Sequence, residues 1–108
     1  YKPLDLEIDG LIIDETRTKI GRDYYELFYA KWAPPAEAKN YTIRIKELPS
    51  RGRGAQIQVF VNDEKLIHRN LQPRVEMIEN MATRSVEALT NWLLQRNKQQ
   101  ENIKYEGI

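Results

Sequence analysis

Residues 41–71 have the sequence YTIRIKELPSRGRGAQIQVFVNDEKLIHRNL, and their pattern is the strongest indication of the fold. Apolar and polar side chains alternate in 41–46 and again in 57–62, which is the period of a half-buried β-strand. The run 66–71 shows the same alternation more weakly. Residues 49–54 and 62–64 are short and carry Pro, Gly, Asn and Asp, which are typical of hairpin connections. The pattern therefore predicts a three-stranded antiparallel meander.

The segment before the meander has the period of a helix. We expect this helix to run from Arg17 to Trp32, with Asp14 or Thr16 as its N-cap. Pro34 and Pro35 end it, because proline has no amide hydrogen and keeps its predecessor out of helical geometry.

Both ends of the chain carry further elements. Leu4, Leu6 and Ile8 alternate with acidic residues, which predicts a half-buried strand before Gly10. After the meander, Pro73 is expected to open a second helix of about 24 residues, roughly 36 Å long. The segment 97–108 is polar, and we expect it to be flexible or to be ordered by a partner.

These elements predict an α+β fold in the order β-α-β-β-β-α, with both helices packed on one sheet face. We expect a single domain over residues 1–96, followed by the tail 97–108. The alternating strand positions and the helical stripes predict the core, which consists of Ile20, Tyr24, Leu27, Phe28, Ile43, Ile45, Ile57, Val59, Val61, Val75, Ile78, Ala82, Val86, Leu89 and Leu93.

The amino-acid composition and net charge argue against several classes of protein. With 41% hydrophobic and 31% charged residues, the chain is an ordinary globular domain rather than a disordered one. A net charge of +1 argues against general nucleic-acid binding and opposes self-association only weakly. There is no long apolar run, so we expect no membrane insertion. The chain begins at Tyr1, which a removed signal peptide or a cloning boundary would explain.

No residue set predicts catalysis, a metal site or a cofactor site. The chain has no cysteine and a single histidine, His68, which lies in a predicted strand among polar residues. Most acidic residues before the meander alternate along a strand or lie on the polar side of the first helix. A solvated surface explains them better than paired-carboxylate chemistry does.

Six residues are candidates for partner contacts. Arg51 and Arg53 lie in the first hairpin loop, where a basic loop could contact an acidic protein surface. Met77, Met81 and Trp92 form a second apolar patch on the second helix, and one small monomer cannot bury both sides of a long helix. Trp32 is the last residue of the apolar stripe of the first helix and is the sixth candidate.

Several segments together resemble the curli assembly accessory family CsgE. They are 10–16 (GLIIDET), 20–25 (IGRDYY), Phe28 with Lys31 and Trp32, 41–43 (YTI), 47–51 (ELPSR), Gly54 and 57–62 (IQVFVN). Their order and spacing agree with the family from Leu6 to Pro73, about two-thirds of the chain. One position departs from it: where the family's first hairpin loop carries an aromatic that promotes self-association, this chain has Arg53.

The resemblance implies a periplasmic, non-enzymatic protein whose signal peptide has been removed. It implies partners of three kinds: an outer-membrane curli secretion channel, the amyloid (curlin) subunit, and further copies of the chain. In this family the copies form a ring, expected to be a nonamer, that caps the channel. The cap targets amyloid subunits to the channel and restrains their premature aggregation in biofilm formation.

An alternative hypothesis is a small α+β nucleic-acid-binding module that uses the sheet face and the loop of Arg51 and Arg53. Such modules present aromatic side chains beside clustered Lys and Arg on the exposed sheet face. Phe60 alone meets the first requirement, so the sequence favours binding to proteins.

Overall fold

The structure is a computed structural model that describes the backbone of residues 10–106 and the side chains of residues 10–98. The elements in chain order are β1 (Gly10–Glu15), α1 (Lys19–Lys31), β2 (Tyr41–Leu48), β3 (Ala55–Val61), β4 (Glu64–Leu71) and α2 (Val75–Glu106). This is the predicted α+β fold. The strand predicted at Leu4–Ile8 lies outside the described residues.

The four strands form one mixed sheet in the order β1-β2-β3-β4. The β2-β3-β4 meander is antiparallel, which confirms the prediction. β1 is parallel to β2, with Gly10 opposite Tyr41, because the chain crosses over through α1 between the two strands. Asn62 and Asp63 join β3 to β4 with φ values of 51° and 70°, the left-handed geometry of a tight hairpin turn.

The core lies between the helices and one face of the sheet. Ile43 and Ile45 of β2 and Ile57, Val59 and Val61 of β3 are fully buried there. From the helices, the buried residues are Tyr24, Phe28, Ile78, Ala82, Leu89 and Leu93. Ile20, Leu27 and Val86 pack against this core and are partly buried.

One residue predicted for the core lies outside it. Val75 is 71% exposed, because it is the first residue of α2 and precedes the buried stripe that begins at Ile78. The helical period of the sequence predicts a buried stripe that begins one turn earlier in α2 than the buried stripe in the structure.

The second helix is longer than its stripe predicts. α2 has 32 residues, which corresponds to about 48 Å, and it begins two residues after Pro73. Its last buried apolar side chain is Leu93, and Asn97 Nδ2 donates a 2.6 Å hydrogen bond to the Glu37 carbonyl. The helix continues to Glu106, through most of the predicted tail. That the segment 97–108 is flexible stays a prediction.

A buried carboxylate fixes the start of α1. Glu47 is 4% exposed, and its Oε1 accepts hydrogen bonds from the amides of Arg17 (2.7 Å) and Thr18 (2.9 Å). The Thr18 hydroxyl donates to Oε2 at 2.7 Å and also accepts from the Gly21 amide at 3.3 Å. Thr18 is therefore the N-cap, and the predicted caps Asp14 and Thr16 are wrong. We call Glu47, Thr18 and Gly21 the Glu47 clasp.

Gly21 belongs to this clasp because it has no side chain. A β-carbon at this position would collide with Glu47 Oε1. The Glu47 carboxylate reaches the start of the helix because it occupies the space that a β-carbon at position 21 would fill. Negative charge at a helix N-terminus is also favourable, because the unpaired amides there carry partial positive charge.

The clasp predicts a specific acid sensitivity. Burial by itself would raise the pKa of the Glu47 carboxyl, but the hydrogen bonds from Thr18 and Arg17 outweigh it and hold that pKa below its ordinary value. The stability contributed by Glu47 is therefore present above the unfolded-state pKa, about 4.3. It is lost as the pH falls through the lower folded-state pKa. Urea unfolding at pH 7, 5, 4 and 3 should show a smaller acid-induced loss in Glu47→Gln than in the parent, whereas equal losses would contradict this role.

Candidate functional site

A groove runs between α2 and the edge strand β4. Its first part has a volume of about 440 Å³. From β4 it is lined by Ile67, Arg69, Asn70 and Leu71, and from α2 by Met77, Asn80, Met81, Arg84, Ser85 and Ala88. α2 packs mainly against α1 and touches β4 only lightly, which leaves this space open.

A second cavity of about 570 Å³ continues the groove along α2. Its lining residues are Glu64, Ala88, Asn91, Trp92, Gln95 and Arg96. Ala88 lines both cavities, so the two parts meet at that residue. Met77, Met81, Ala88 and Trp92 are spaced by four, seven and four residues, which places them along one side of the helix. We call the two cavities together the α2–β4 groove.

The groove combines an apolar floor with an arginine on each side, and Glu64 lines its second cavity. Leu71 is buried, Ile67 and Met81 are half-buried, and Met77 is 41% exposed. Arg69 projects from the strand side and Arg84 from the helix side, and both are exposed. A surface of Met and other apolar side chains bordered by arginine is typical of protein interfaces.

A chain of hydrogen bonds behind the groove fixes the position of α2, the helix that forms one wall of the groove. The Tyr24 hydroxyl donates to Ser85 Oγ at 2.7 Å, and Ser85 Oγ donates to the Met81 carbonyl at 2.7 Å. Burial raises the pKa of Tyr24, while the bond to Ser85 acts in the opposite direction, so the phenol stays protonated as the donor. α1 thereby holds α2 in place directly beneath Met81.

The structure brings three of the six predicted contact residues into the groove. Met77, Met81 and Trp92 lie there, with the Arg96 guanidinium 5.7 Å from the centre of the Trp92 ring. Arg51 and Arg53 are exposed in the β2–β3 loop. That loop lies at the end of the sheet where Ala55 pairs with Leu71, and neither arginine lines the groove.

Trp32 is placed in an aromatic stack away from the groove. Its ring stacks on Phe28 with centroids 5.7 Å apart, and its indole N–H donates to the Tyr41 hydroxyl at 3.3 Å. Tyr41 in turn packs over Gly10, where a β-carbon would collide with its ring. Trp32 thus ties α1 to β2, and its role as a partner contact stays a prediction.

None of the described helices covers the opposite face of the sheet. A depression of about 400 Å³ there is lined by Leu11, Ile13, Thr42, Arg44, Phe60, Asn62 and Asp63. Arg44 lies beside the aromatic ring of Phe60 in register, but its Nε is 3.4 Å from Glu15 Oε1 and is paired within the chain. Arg44 is therefore already engaged by a carboxylate of the chain, which gives the nucleic-acid hypothesis no support at this position.

Other kinds of site have little support in the described part of the chain. His68 is exposed, and its Nε2 lies 3.1 Å from Gln56 Oε1. No cluster of three or more His, Asp or Glu side chains capable of holding a metal ion occurs in residues 10–98. None of the described helices is long and apolar enough to cross a membrane.

The sequence did not identify the residues of β4 that line the groove, nor Arg84 of α2. Ile67, Arg69 and Arg84 became site residues only through the packing of α2 beside β4. It also missed Glu47, although the alternation through Ile43 and Ile45 places position 47 on the buried face. That alternation was the available signal.

Comparison with known proteins agrees with the resemblance noted in the sequence. The family model "Curli assembly protein CsgE" matches residues 8–106. A similar protein is the "Curli production assembly/transport component CsgE" of Escherichia coli O6:H1, 33% identical over 72 residues, which are 65% of this chain and 52% of that protein. The component of the same name from Salmonella typhi is 32% identical over 72 residues, 65% of this chain and 51% of that protein.

The chain spans about half the length of these curated relatives. The family-model match, however, extends through α2 to Glu106, well beyond the segments on which the resemblance rested. The described fold, with its α2–β4 groove, thus falls entirely within the matched region. The chain belongs to the CsgE family of curli assembly proteins.

Proposed function

We propose that this protein is a periplasmic, non-enzymatic accessory factor in the production of curli, the extracellular amyloid fibres. It assembles into a ring that caps the outer-membrane curli secretion channel, delivers the amyloid subunit to that channel, and restrains the subunit's premature aggregation. The observation that carries the proposal is the open α2–β4 groove in a member of the CsgE family.

The groove suits a protein that associates through one helix side. Its apolar floor can be desolvated by a partner, and its arginines can bind carboxylates or backbone carbonyls at the rim. The near-balanced charge of the chain does not oppose association between copies.

The sheet edges matter for a protein that handles an amyloid subunit. An open edge can template the addition of strands, and charged side chains reduce that tendency. β4 carries Glu64, Lys65 and Arg69 along its exposed length. These charges discourage uncontrolled strand addition at the edge, so that only a segment whose own charges match them would pair there.

A ring also constrains where subunits touch. Head-to-tail assembly needs two different patches on each copy. The opposite side of α2 is occupied by α1, and Trp32 packs between Phe28 and Tyr41. The groove therefore supplies one patch, and the second lies elsewhere on the chain.

The direct test combines two measurements with the intact chain. At equimolar protein we expect a longer lag before the curlin subunit fibrillates, together with binding to the purified secretion channel. An unchanged lag with no channel binding would overturn the proposed function.

The position of the groove predicts different effects for two substitutions at the start of α2. Met77→Glu puts a charge on the apolar floor and should weaken self-association by about tenfold, which corresponds to about 1.4 kcal/mol. Val75→Glu is the control, since Val75 is exposed in the same turn but lies toward α1, beside Leu27. Sedimentation velocity over a concentration series should separate the two variants, and equal effects would argue against the groove.

A further inference from the structure

We infer that residues 4–8 of a second copy of this chain add as a fifth strand to the free edge of β4, with their apolar side chains over the α2–β4 groove. The inference deepens the proposed function, because it names the partner of the groove within the assembly.

The first support is the free edge itself. β4 ends the sheet and pairs with β3 alone among the described strands. Edge strands present unpaired backbone amides and carbonyls, and an extended segment can satisfy them by joining the sheet. β4 is also the least buried strand of the meander, as expected of a strand that lacks a neighbour.

The second support is the alternation on β4. Ile67, Arg69 and Leu71 lie on the groove side, since they pair with the buried Val59, Ile57 and Ala55. Lys65 and His68 pair with Phe60 and Gln58 and therefore lie toward the open face. A fifth strand would present every second side chain to the groove and the others to these bases.

The third support is the sequence before β1. Leu4, Leu6 and Ile8 alternate with Asp5, Glu7 and Asp9. If the apolar set covers the groove floor, the two-residue period turns the acidic set toward the open face. There it meets the exposed Lys65, so the apolar pattern matches the groove and the acidic set faces a lysine.

The short connection between residues 4–8 and β1 requires that the added strand come from another copy of the chain. β1 and β4 are opposite edges of the sheet, three strand spacings or about 14 Å apart. Ile8 is two residues from Gly10, a reach of only about 7 Å. Residues 4–8 therefore cannot lie along the β4 of their own chain, and they can lie along that of a neighbour.

Such a contact is head-to-tail. Each copy offers its N-terminal segment at one edge of its sheet and its β4 at the other, and repetition produces a ring when the rotation closes. The second patch that a ring requires is thus residues 4–8.

The test uses the natural absence of cysteine, so that engineered thiols are unique. Full-length Leu6→Cys protein is mixed with full-length Arg69→Cys protein under mild oxidation, and the cross-linked pair is quantified on a non-reducing gel. The control replaces Arg69→Cys by Lys46→Cys, an exposed position on β2, two strands from that edge. We expect the first pair to cross-link at least about tenfold faster, because paired strands bring the thiols within disulfide distance.

A deletion gives an independent measure. Removal of residues 1–9 leaves every described element intact, since β1 begins at Gly10. It should raise the dissociation constant for self-association by about tenfold or more, with an unchanged circular dichroism spectrum. An unchanged dissociation constant, or equal cross-linking in the two mixtures, would overturn the inference.

Two outcomes separate this inference from the proposed function. Cross-linking of Arg69→Cys to a cysteine in the curlin subunit, but not to Leu6→Cys, would overturn the inference and leave the curli role standing. Efficient Leu6–Arg69 cross-linking by a protein that leaves the fibrillation lag unchanged and does not bind the channel would support the inference and overturn the curli role.

Discussion

Gly21→Ala is expected to lower the free energy of unfolding by about 3 kcal/mol. The new β-carbon would collide with Glu47 Oε1, so the carboxylate must leave the start of α1. Its departure breaks the bonds from the Arg17 and Thr18 amides and from the Thr18 hydroxyl. A solvent-exposed glycine in a helix would behave in the opposite way, because alanine there stabilises by about 1 kcal/mol.

A double-mutant cycle tests the cause. Glu47→Ala alone should cost about 3 kcal/mol, since it leaves the same donors without their acceptor. Adding Gly21→Ala to Glu47→Ala should then cost little, because the colliding atom is gone and alanine is the better helix former. Urea unfolding of the four proteins gives the coupling energy. Additive losses would mean that Gly21 is required for another reason, such as the crowding of a new β-carbon against Thr16 Cβ, which would lie 3.2 Å from it.

Phe28→Ala is expected to lower the free energy of unfolding by about 4 kcal/mol. Phe28 is fully buried and lies between two aromatic rings, with centroids 6.2 Å from Tyr24 and 5.7 Å from Trp32. Truncation leaves a cavity between α1 and the sheet and removes the surface on which Trp32 stacks. A loss of this size is a large fraction of the 5–15 kcal/mol that stabilises a typical domain.

The neighbouring residue supplies the control. Tyr29 is also aromatic and lies on the same helix, but it is 60% exposed and packs beside Tyr25. Tyr29→Ala should cost under about 1 kcal/mol by the same unfolding measurement. Similar losses for the two variants would contradict the placement of the core on one side of α1.

The two stability predictions bear on function through α1. This helix holds α2 through the Tyr24–Ser85–Met81 hydrogen bonds, and α2 carries one wall of the groove. A variant that loosens α1 should therefore weaken self-association as well, whereas Met77→Glu should weaken self-association with the fold intact. Measuring unfolding and sedimentation on the same variants separates the two effects.

Local periodicity predicts the meander and both helices well and their ends less well. It does not predict β1 (Gly10–Glu15), because Gly10 interrupts the alternation of residues 4–8. The meander and both helices follow from the alternation through Ile43 and Ile57 and from the stripe through Ile78, because burial of one side imposes its period on the sequence. The N-cap of α1 was misplaced, since Asp14 and Thr18 are both good caps in isolation. The Asp14 carboxylate accepts from the Thr16 amide and hydroxyl instead, and the position of Glu47 selects Thr18.

Local residue patterns account for the α+β class, the antiparallel meander, the side of each meander strand that is buried, and the alignment of Met77, Met81 and Trp92 along one side of a helix. Each of these depends on contacts between residues close in the chain or on a fixed period. Three other features appear only in the folded chain: β1 lies parallel to β2 at one edge, Glu47 reaches the start of α1, and β4 faces Met77 and Met81 across an open groove. Those features depend on residues distant in the chain, whose meeting is set by how the helices pack on the sheet and cannot be inferred from a local pattern.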